Sequence, residues 1–499
     1  MAITLTVEQE KVHTAFKNRI NAAIKAYAGS GKSTTIIGAF KNLPKNVKGL
    51  LIYFNKAARK EAELKLAGYN NIKVCTNHTF AFAAVGKDYA NANRIVGGKG
   101  SKRYSASDVA SLFGLTDYQN GDVNMDAKTI AQWAMMTTRK FASSTDREIN
   151  EYNVPWIPAY DESFQEMKPI VTKVAREIWA DKCDRSRGVL PVEHDDYLKM
   201  WAMSKSSWFF GRQVIAIDEF QDTNPVMWDV FRKHTSATLY GIGDPYQSVY
   251  GFRGAKNYLD DISKLTKSGV PIPSEMLYLT KTHRFGGEVV DWANMCLDYA
   301  GADFPLVGNE LINSTVTDFI TDPDAILCRT NAGVIAAAIG VAASGRTFSI
   351  ANIDAIKSLA EGALQLYSGV PSMHQDLMGI SSWDHFVNLT ENDPSFSDLK
   401  VLAKLITEHG AQSLIDLVNS AKPEGQAECA IMTAHRVKGL EWKRVQIAGD
   451  FSLREGSDGK LILPTMTDIY LAYVAITRAI ECLGIGSLDY VQSLDTLTA

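Results

Sequence analysis

The sequence predicts an α/β protein of two doubly wound domains with parallel sheets, a mainly helical domain inserted in the first and a small insertion in the second. Three observations carry that expectation. The stretch Ala26 to Thr34 reads Ala-Tyr-Ala-Gly-Ser-Gly-Lys-Ser-Thr between an apolar run and a helical pattern, the layout of a phosphate-cradling loop between strand and helix. Further short apolar runs recur, each ending in a polar cluster, as buried parallel strands with functional residues at their carboxyl ends do. From Val85 to Ser204 the alternation of strand and helix stops, and Trp133, Trp156, Trp179 and Trp201 are spread through the gap.

In chain order, Leu5 to Glu10 reads as a helix start with Thr6 as N-cap. Gln9 in that helix is either a surface residue or an amide able to pair with both edges of adenine. Ala22 to Ala28 reads as a buried strand, and the helix opens at Ser33. Ala26 stands where the strict loop pattern has glycine. Backbone N–H groups from Ala28 to Thr34 would converge on one point, strengthened by the helix dipole. Gly29 and Gly31 let the chain wrap close around phosphate, with Ser30 between them. Lys32 can reach outer phosphates, and the Ser33 hydroxyl can hold Mg²⁺.

Gly49 to Phe54 and Ile72 to Thr76 read as the next strands, leaving Phe54, Asn55, His78 and Thr79 at their carboxyl ends. Ring, amide, imidazole and hydroxyl suit a nucleic-acid strand. Val96 to Tyr104 is glycine-rich and basic, either a phosphate contact or a solvated loop. Glu193-His194-Asp195-Asp196 precedes an apolar helix face and reads as a charged helix start rather than a metal site. Gln213 to Ile217 is a strand ending in Asp218 and Glu219. Adjacent carboxylates at a strand tip suit phosphate hydrolysis: Asp218 for Mg²⁺, Glu219 for the attacking water. Thr238 to Ile242 is a strand running into a loop with Gln247, Tyr250 and Phe252. Met276 to Leu279 is expected to open a second sheet, followed by strands at Asp324 to Cys328, Cys429 to Met432 and Arg444 to Ala448, and a helix from Ile469 to Ile480. This half has no phosphate loop, but Arg284 and Arg478 could act across a cleft as arginine fingers.

Net charge is −4, with 46% apolar and 22% charged residues, so any nucleic-acid binding must rest on local grooves and stacking rather than overall charge. None of the six cysteines forms a C-x-x-C pair, which argues against a zinc site or disulfide framework. Neither a signal-type start nor a spanning apolar run is seen, so a cytoplasmic or nucleoid-associated protein without membrane contact is expected. No nuclease constellation is apparent.

Taken together, these motifs resemble superfamily 1 helicases of the UvrD/Rep type, with the F-box DNA helicase branch as a similar group. The resemblance runs through most of the chain, in order. It rests above all on Asp218-Glu219-Phe220-Gln221-Asp222, Gln247-Ser248-Val249-Tyr250-Gly251-Phe252-Arg253-Gly254 and Tyr473-Val474-Ala475-Ile476-Thr477-Arg478-Ala479. It implies two RecA-like domains, 1–85 with 205–272 and 273–370 with 426–499, and insertions at 86–204 and 371–425. It implies that Gln9 reads adenine, that Ala28 to Thr34 hold ATP, that Ser33 and Asp218 hold Mg²⁺, and that Glu219 is the catalytic base. Gln247, Arg284 and Arg478 would sense the γ-phosphate, and Glu441 would lie near the ribose. Phe54, Asn55, His78, Thr79, Tyr250, Phe252, Thr433 and His435 would line the single-strand track. His283 stands where the family commonly has an adenine-stacking tyrosine. The resemblance implies an ATP-dependent helicase on single-stranded DNA and its junctions with duplex, moving 3′ to 5′. Two rivals are a translocase that strips proteins from DNA without unwinding, and a DNA-binding scaffold with a dead ATPase, against which the intact Lys32, Asp218, Glu219 and Arg478 argue.

Overall fold

The computed structural model describes residues 5–494 except 55, 99, 158–159, 205–208, 210, 234–235, 252–253, 268, 373 and 454–459. Asn55 and Phe252 therefore lie outside the described residues. The chain forms two compact units. The first comprises Met1–Lys25, Lys32–Pro245 and Tyr250–Leu279, the second Ala26–Gly31, Tyr246–Val249 and Thr280–Ala499.

The first unit is built on a six-stranded sheet. Its strands are β1 (Asn21–Ala26), β2 (Gly49–Tyr53), β3 (Ile72–Thr76), then, beyond a small hairpin of β4 (Tyr118–Asn120) and β5 (Val123–Met125), β6 (Val214–Ile217) and β7 (Thr238–Gly243). A second hairpin, β8 (Thr266–Lys267) with β9 (Val270–Pro271), leads to β10 (Ser274–Leu279). The order is β10-β1-β7-β6-β2-β3, and the ladders from β1 through β3 are parallel. β2 and β6 are buried along their whole length, which is why they read as unbroken apolar runs. β1 pairs Lys25 with Gly243 of β7, and β7 pairs Gly241 with Ile217 of β6. The carboxyl ends of these three strands thus share one edge, where doubly wound sheets bind ligands.

The strand at Met276–Leu279 was expected to open the second sheet; as β10 it edges the first, beside β1. Its alternating burial, half of it solvated, is that of an edge strand, and its sequence does not say which sheet it joins. From 86 to 204 the elements are helical apart from the β4–β5 hairpin. Helix His194–Met203 starts on a Glu193 N-cap with a capping box to Asp196, the charged helix start anticipated. Its Tyr197, Leu198 and Trp201 enter the same apolar core as Leu50, Ile52 and Ile215 of the sheet.

In the second unit the strands are β11 (Thr315–Thr317), β12 (Ala325–Cys328), β13 (Phe348–Ile350), β14 (Cys429–Thr433), β15 (Trp442–Ile447) and β16 (Ala479–Gly484). Their order is β11-β16-β15-β12-β14-β13, every ladder parallel. The helix expected to run to Ile480 spans Met466–Ile476, and Ala479 already belongs to β16. Leu377, Phe386, Leu402 and Leu414, within the expected small insertion, share one core with Ile335, Leu359 and Ile431. All six cysteines are free. Among the described residues no helix is long and apolar enough to cross a membrane.

Candidate nucleotide and nucleic-acid site

β1 runs through a short loop into helix Lys32–Lys41. Gly29 and Gly31 sit at φ +71 and +78, backbone that side chains with a Cβ adopt at a cost. A Cβ on Gly29 would also lie 2.3 Å from Thr282 Oγ1. The Lys32 ammonium is 3.6 Å from Glu219 Oε1. Asp218, at the tip of β6, is buried, and its Oδ1 has no hydrogen-bond partner among the described residues. Burial, then the neighbouring Glu219 charge, pushes its carboxyl up to about 7 against the pull of Lys32. A carboxylate held this way ionises when a cation arrives. The donor set therefore fits Mg²⁺, with Asp218 and the exposed Ser33 hydroxyl as its holders.

Glu219 itself sits at φ 53, ψ 46, a left-handed conformation costing roughly 1–3 kcal/mol in a non-glycine residue. Such strain persists only where neighbours fix it. Here Gln221, fully buried, donates from Nε2 to Glu219 Oε2 at 2.6 Å and accepts from the Asp244 N–H at 3.1 Å. Gly243 leaves it room: a Cβ there would meet Gln221 Oε1 at 2.0 Å. Gln221 belongs to the Asp218–Asp222 motif, whose linear pattern assigns it no role. The signal was its position, two residues after the candidate base.

Gln9 is the capping-box residue of the first helix: its Oε1 accepts the Thr6 N–H at 3.0 Å and its own N–H reaches Thr6 Oγ1 at 3.3 Å. In the second unit, Arg478 is 2% exposed. Its Nε donates to Val474 O at 2.9 Å, and Nη2 to Thr477 Oγ1 at 3.0 Å and Gln247 Oε1 at 3.4 Å. Arg284 donates to Thr477 O at 2.9 Å and pairs with Glu441. His283 is exposed, and its N–H donates to Gly29 O at 2.8 Å. The Ala28 N–H donates to the Tyr473 hydroxyl at 3.2 Å. Gln247, Arg284, Glu441 and Arg478 are thus linked through Thr477.

Phe54, 43% exposed, stacks on Tyr250 with centroids 5.9 Å apart and planes 15° from parallel. His78 lies 3.2 Å from Asp195 Oδ1 and 5.9 Å from the His194 ring. Thr79 spends its hydroxyl on the Thr76 N–H at 3.0 Å, a helix cap. Thr433 closes β14, and half-buried His435 lies in the short 3₁₀ turn Ala434–Arg436 that follows it. Glu193 to Asp196 reads in sequence only as a helix start; nothing in a linear sequence places His194 against His78, or Asp195, 117 residues away, against the same ring.

The family described as UvrD/REP helicase N-terminal domain matches residues 5–266, more than half of the 499-residue chain. The chain belongs to the UvrD/REP helicase family. It is 28% identical over 504 residues to F-box DNA helicase protein 1 of Schizosaccharomyces pombe, covering 91% of this chain and 54% of that protein. With F-box DNA helicase 1 of Gallus gallus it shares 27% over 541 residues, 99% of this chain and 50% of that one. A shorter match, 51% over 43 residues, links 8% of the chain to 4% of the RecBCD enzyme subunit RecB of Mycolicibacterium smegmatis. The chain spans about half the length of the F-box helicases it matches. The matched UvrD/REP segment contains the phosphate loop, Asp218, Glu219, Gln247 and Tyr250.

Proposed function

We propose that this UvrD/REP family member is an ATP-dependent DNA helicase that moves 3′ to 5′ along single-stranded DNA and opens duplex in replication, recombination or repair. The reading rests first on the Lys32 ammonium standing 3.6 Å from Glu219 beside buried Asp218. The DNA helicase names of the long relatives support the substrate. ATP lies with its outer phosphates on the 28–34 loop and the Lys32 charge. Ser33 and Asp218 would hold Mg²⁺, which would supply positive charge to offset the negative charge of the transferring phosphate. Glu219, held by Gln221, orients the attacking water and takes its proton as the terminal phosphate leaves ADP. Gln247, Arg284 and Arg478 answer the charge that develops on the transferring phosphate. Gln9 and His283 lie against adenine and Glu441 near the ribose. Phe54, His78, Tyr250, Thr433 and His435 carry the strand, with Thr79 capping the His78 turn. Single-strand/duplex junctions are its working partners, in the cytoplasm or on the nucleoid.

The test is ATP hydrolysis with and without a single-stranded oligonucleotide, then unwinding of 3′- and 5′-tailed duplexes. DNA-stimulated hydrolysis with unwinding from the 3′ tail is expected. Hydrolysis without unwinding from either tail would replace the helicase reading with that of a translocase. Unwinding from the 5′ tail alone would overturn the polarity.

A further inference from the structure

Within the helical part of the first unit lies a pocket of about 300 Å³ that no part of the proposed reaction uses. Residues 96–97 and 101–104 of the basic stretch line part of it. Its walls are apolar, with Val109, Met135, Ile178 and Leu190 contributed by three helices and the strap before Glu193. Lys102 and Arg103 stand exposed at its rim, with Tyr104 beside them. Arg139 and Glu193 also line it and pair with each other at 2.9 Å. Lys182, 7% exposed, lines it as well. Its ammonium, with three N–H donors, gives one to Asp196 Oδ2 at 2.6 Å.

Of the four cations in the lining, Arg139 is paired with Glu193 and Lys182 with Asp196, which leaves the positive excess on Lys102 and Arg103. An anionic ligand is selected by that balance. The apolar walls select one with a flat, weakly polar body, and a volume near 300 Å³ is at the small end of ligand pockets. One chemistry meets all of these demands, a nucleotide with its base turned out of the stack.

We propose that this pocket captures one unstacked nucleotide of a DNA strand, its base between Tyr104, Met135 and Ile178, its flanking phosphates on Lys102 and Arg103. The proposal rests on the DNA reading above. It resolves the two sequence readings of the 96–104 loop in favour of phosphate contact, and adds a base site that the motifs did not mark.

The experiment uses the full chain and two fluorescent strands of equal length, oligo(dT) and an all-abasic backbone. Met135→Trp fills the pocket without changing charge. It should lower oligo(dT) affinity by about 5-fold or more, the low end of one lost base stack, and leave the abasic strand unaffected. Lys102→Ala with Arg103→Ala should weaken both strands and flatten the salt dependence by about 1.4 in log–log slope, two phosphates at about 0.7 each. ATP hydrolysis without DNA should match wild type in both variants. If Met135→Trp melts early, Met135→Phe serves in its place. Wild-type binding of both strands by a folded filling variant, or an unchanged salt slope in the double variant, overturns the proposal. Competition by free dTMP at concentrations equal to those of oligo(dT) nucleotides would also overturn it, in favour of a mononucleotide site. These outcomes leave the helicase reading standing if wild type still unwinds DNA. If wild type binds neither strand, that reading falls too.

Discussion

β1 and β12 each feed a helix through a short turn, and the two turns deal with negative charge differently. After β1 the turn is glycine at two left-handed positions, with the Ala28 N–H given to the Tyr473 hydroxyl. After β12 the turn is Arg329-Thr330, and a carboxylate of the same chain already sits in it. Asp450 accepts from the Arg329 N–H at 2.9 Å, the Thr330 N–H at 2.8 Å and the Thr330 hydroxyl at 2.9 Å. Gly333 is glycine because a Cβ there would lie 1.9 Å from Asp450 Oδ2. The N-terminus of helix Asn331–Ala343 is therefore satisfied internally, by Asp450 and the Thr330 hydroxyl, while the loop before helix Lys32–Lys41 is the one we propose to meet phosphate. On the proposed function, the same strand–turn–helix unit is a binding device in one sheet and a structural joint in the other.

Breaking the first turn should cost rate and not stability. On the proposed function, Lys32→Ala removes a point charge aimed at transferring phosphate, so DNA-stimulated ATP hydrolysis should fall by about 10³-fold, with Tm at or above wild type. Steady-state hydrolysis and a melting curve on one preparation check it; a collapsed Tm would mean that Lys32 serves the fold. Arg478 combines both roles. Arg478→Lys keeps the charge but loses the fork that spans Val474 O, Thr477 Oγ1 and Gln247. Hydrolysis should drop by about 10²-fold while ATP affinity, read by a fluorescent analogue, changes little. Affinity lost in step with rate would remove Arg478 from the transition state.

Breaking the second turn should do the reverse. Asp450→Ala leaves three donors without their acceptor in a half-buried joint, a loss of about 1–3 kcal/mol. Urea melts should show it, and hydrolysis per folded molecule should stay near wild type. A stable Asp450→Ala protein with impaired hydrolysis would make the second turn part of the reaction, and the contrast between the sheets would fail.

This contrast also bears on what a linear reading can find. The glycine loop was legible because its chemistry is local: nine consecutive residues specify strand, turn and helix. The strands were legible because burial on both faces leaves continuous apolar runs, as in β2 and β6. Asp450 was not, since its partners Arg329 and Thr330 lie about 120 residues away and no local pattern joins them. Gln221 was half legible: its motif was quoted, but its grip on Glu219 depends on a strained backbone that sequence does not display. β10 was assigned to the wrong sheet because apolar spacing reports that a strand forms, not which neighbour it pairs with. β16 was taken for the end of a helix because Ala479 and Ile480 fit either period.

The first unit has a self-satisfied ion of its own, and it gives the smallest and most specific test. Lys199 is 2% exposed, lies over the Phe141 ring at 4.3 Å, and donates to Ser144 O and Asp146 O at 2.6 Å each. Like Asp450, it is a charge whose partners are all within the fold. Burial pushes its ammonium down to about 8 from 10.5, against the pull of Asp146. Between those two values the unfolded chain holds a proton that the folded chain has released. Stability from this site therefore rises with pH across that window and is flat below it. Lys199→Met removes the titration and leaves two carbonyls without their donor. The difference in unfolding free energy between wild type and Lys199→Met should then widen in favour of wild type from pH 7.5 to pH 10, read by urea melts at fixed ionic strength. The other groups that titrate in this range cancel in that difference. A gap that stays constant across the window would mean that the two carbonyls hold the proton as firmly as water does, and that burial of Lys199 carries no electrostatic cost.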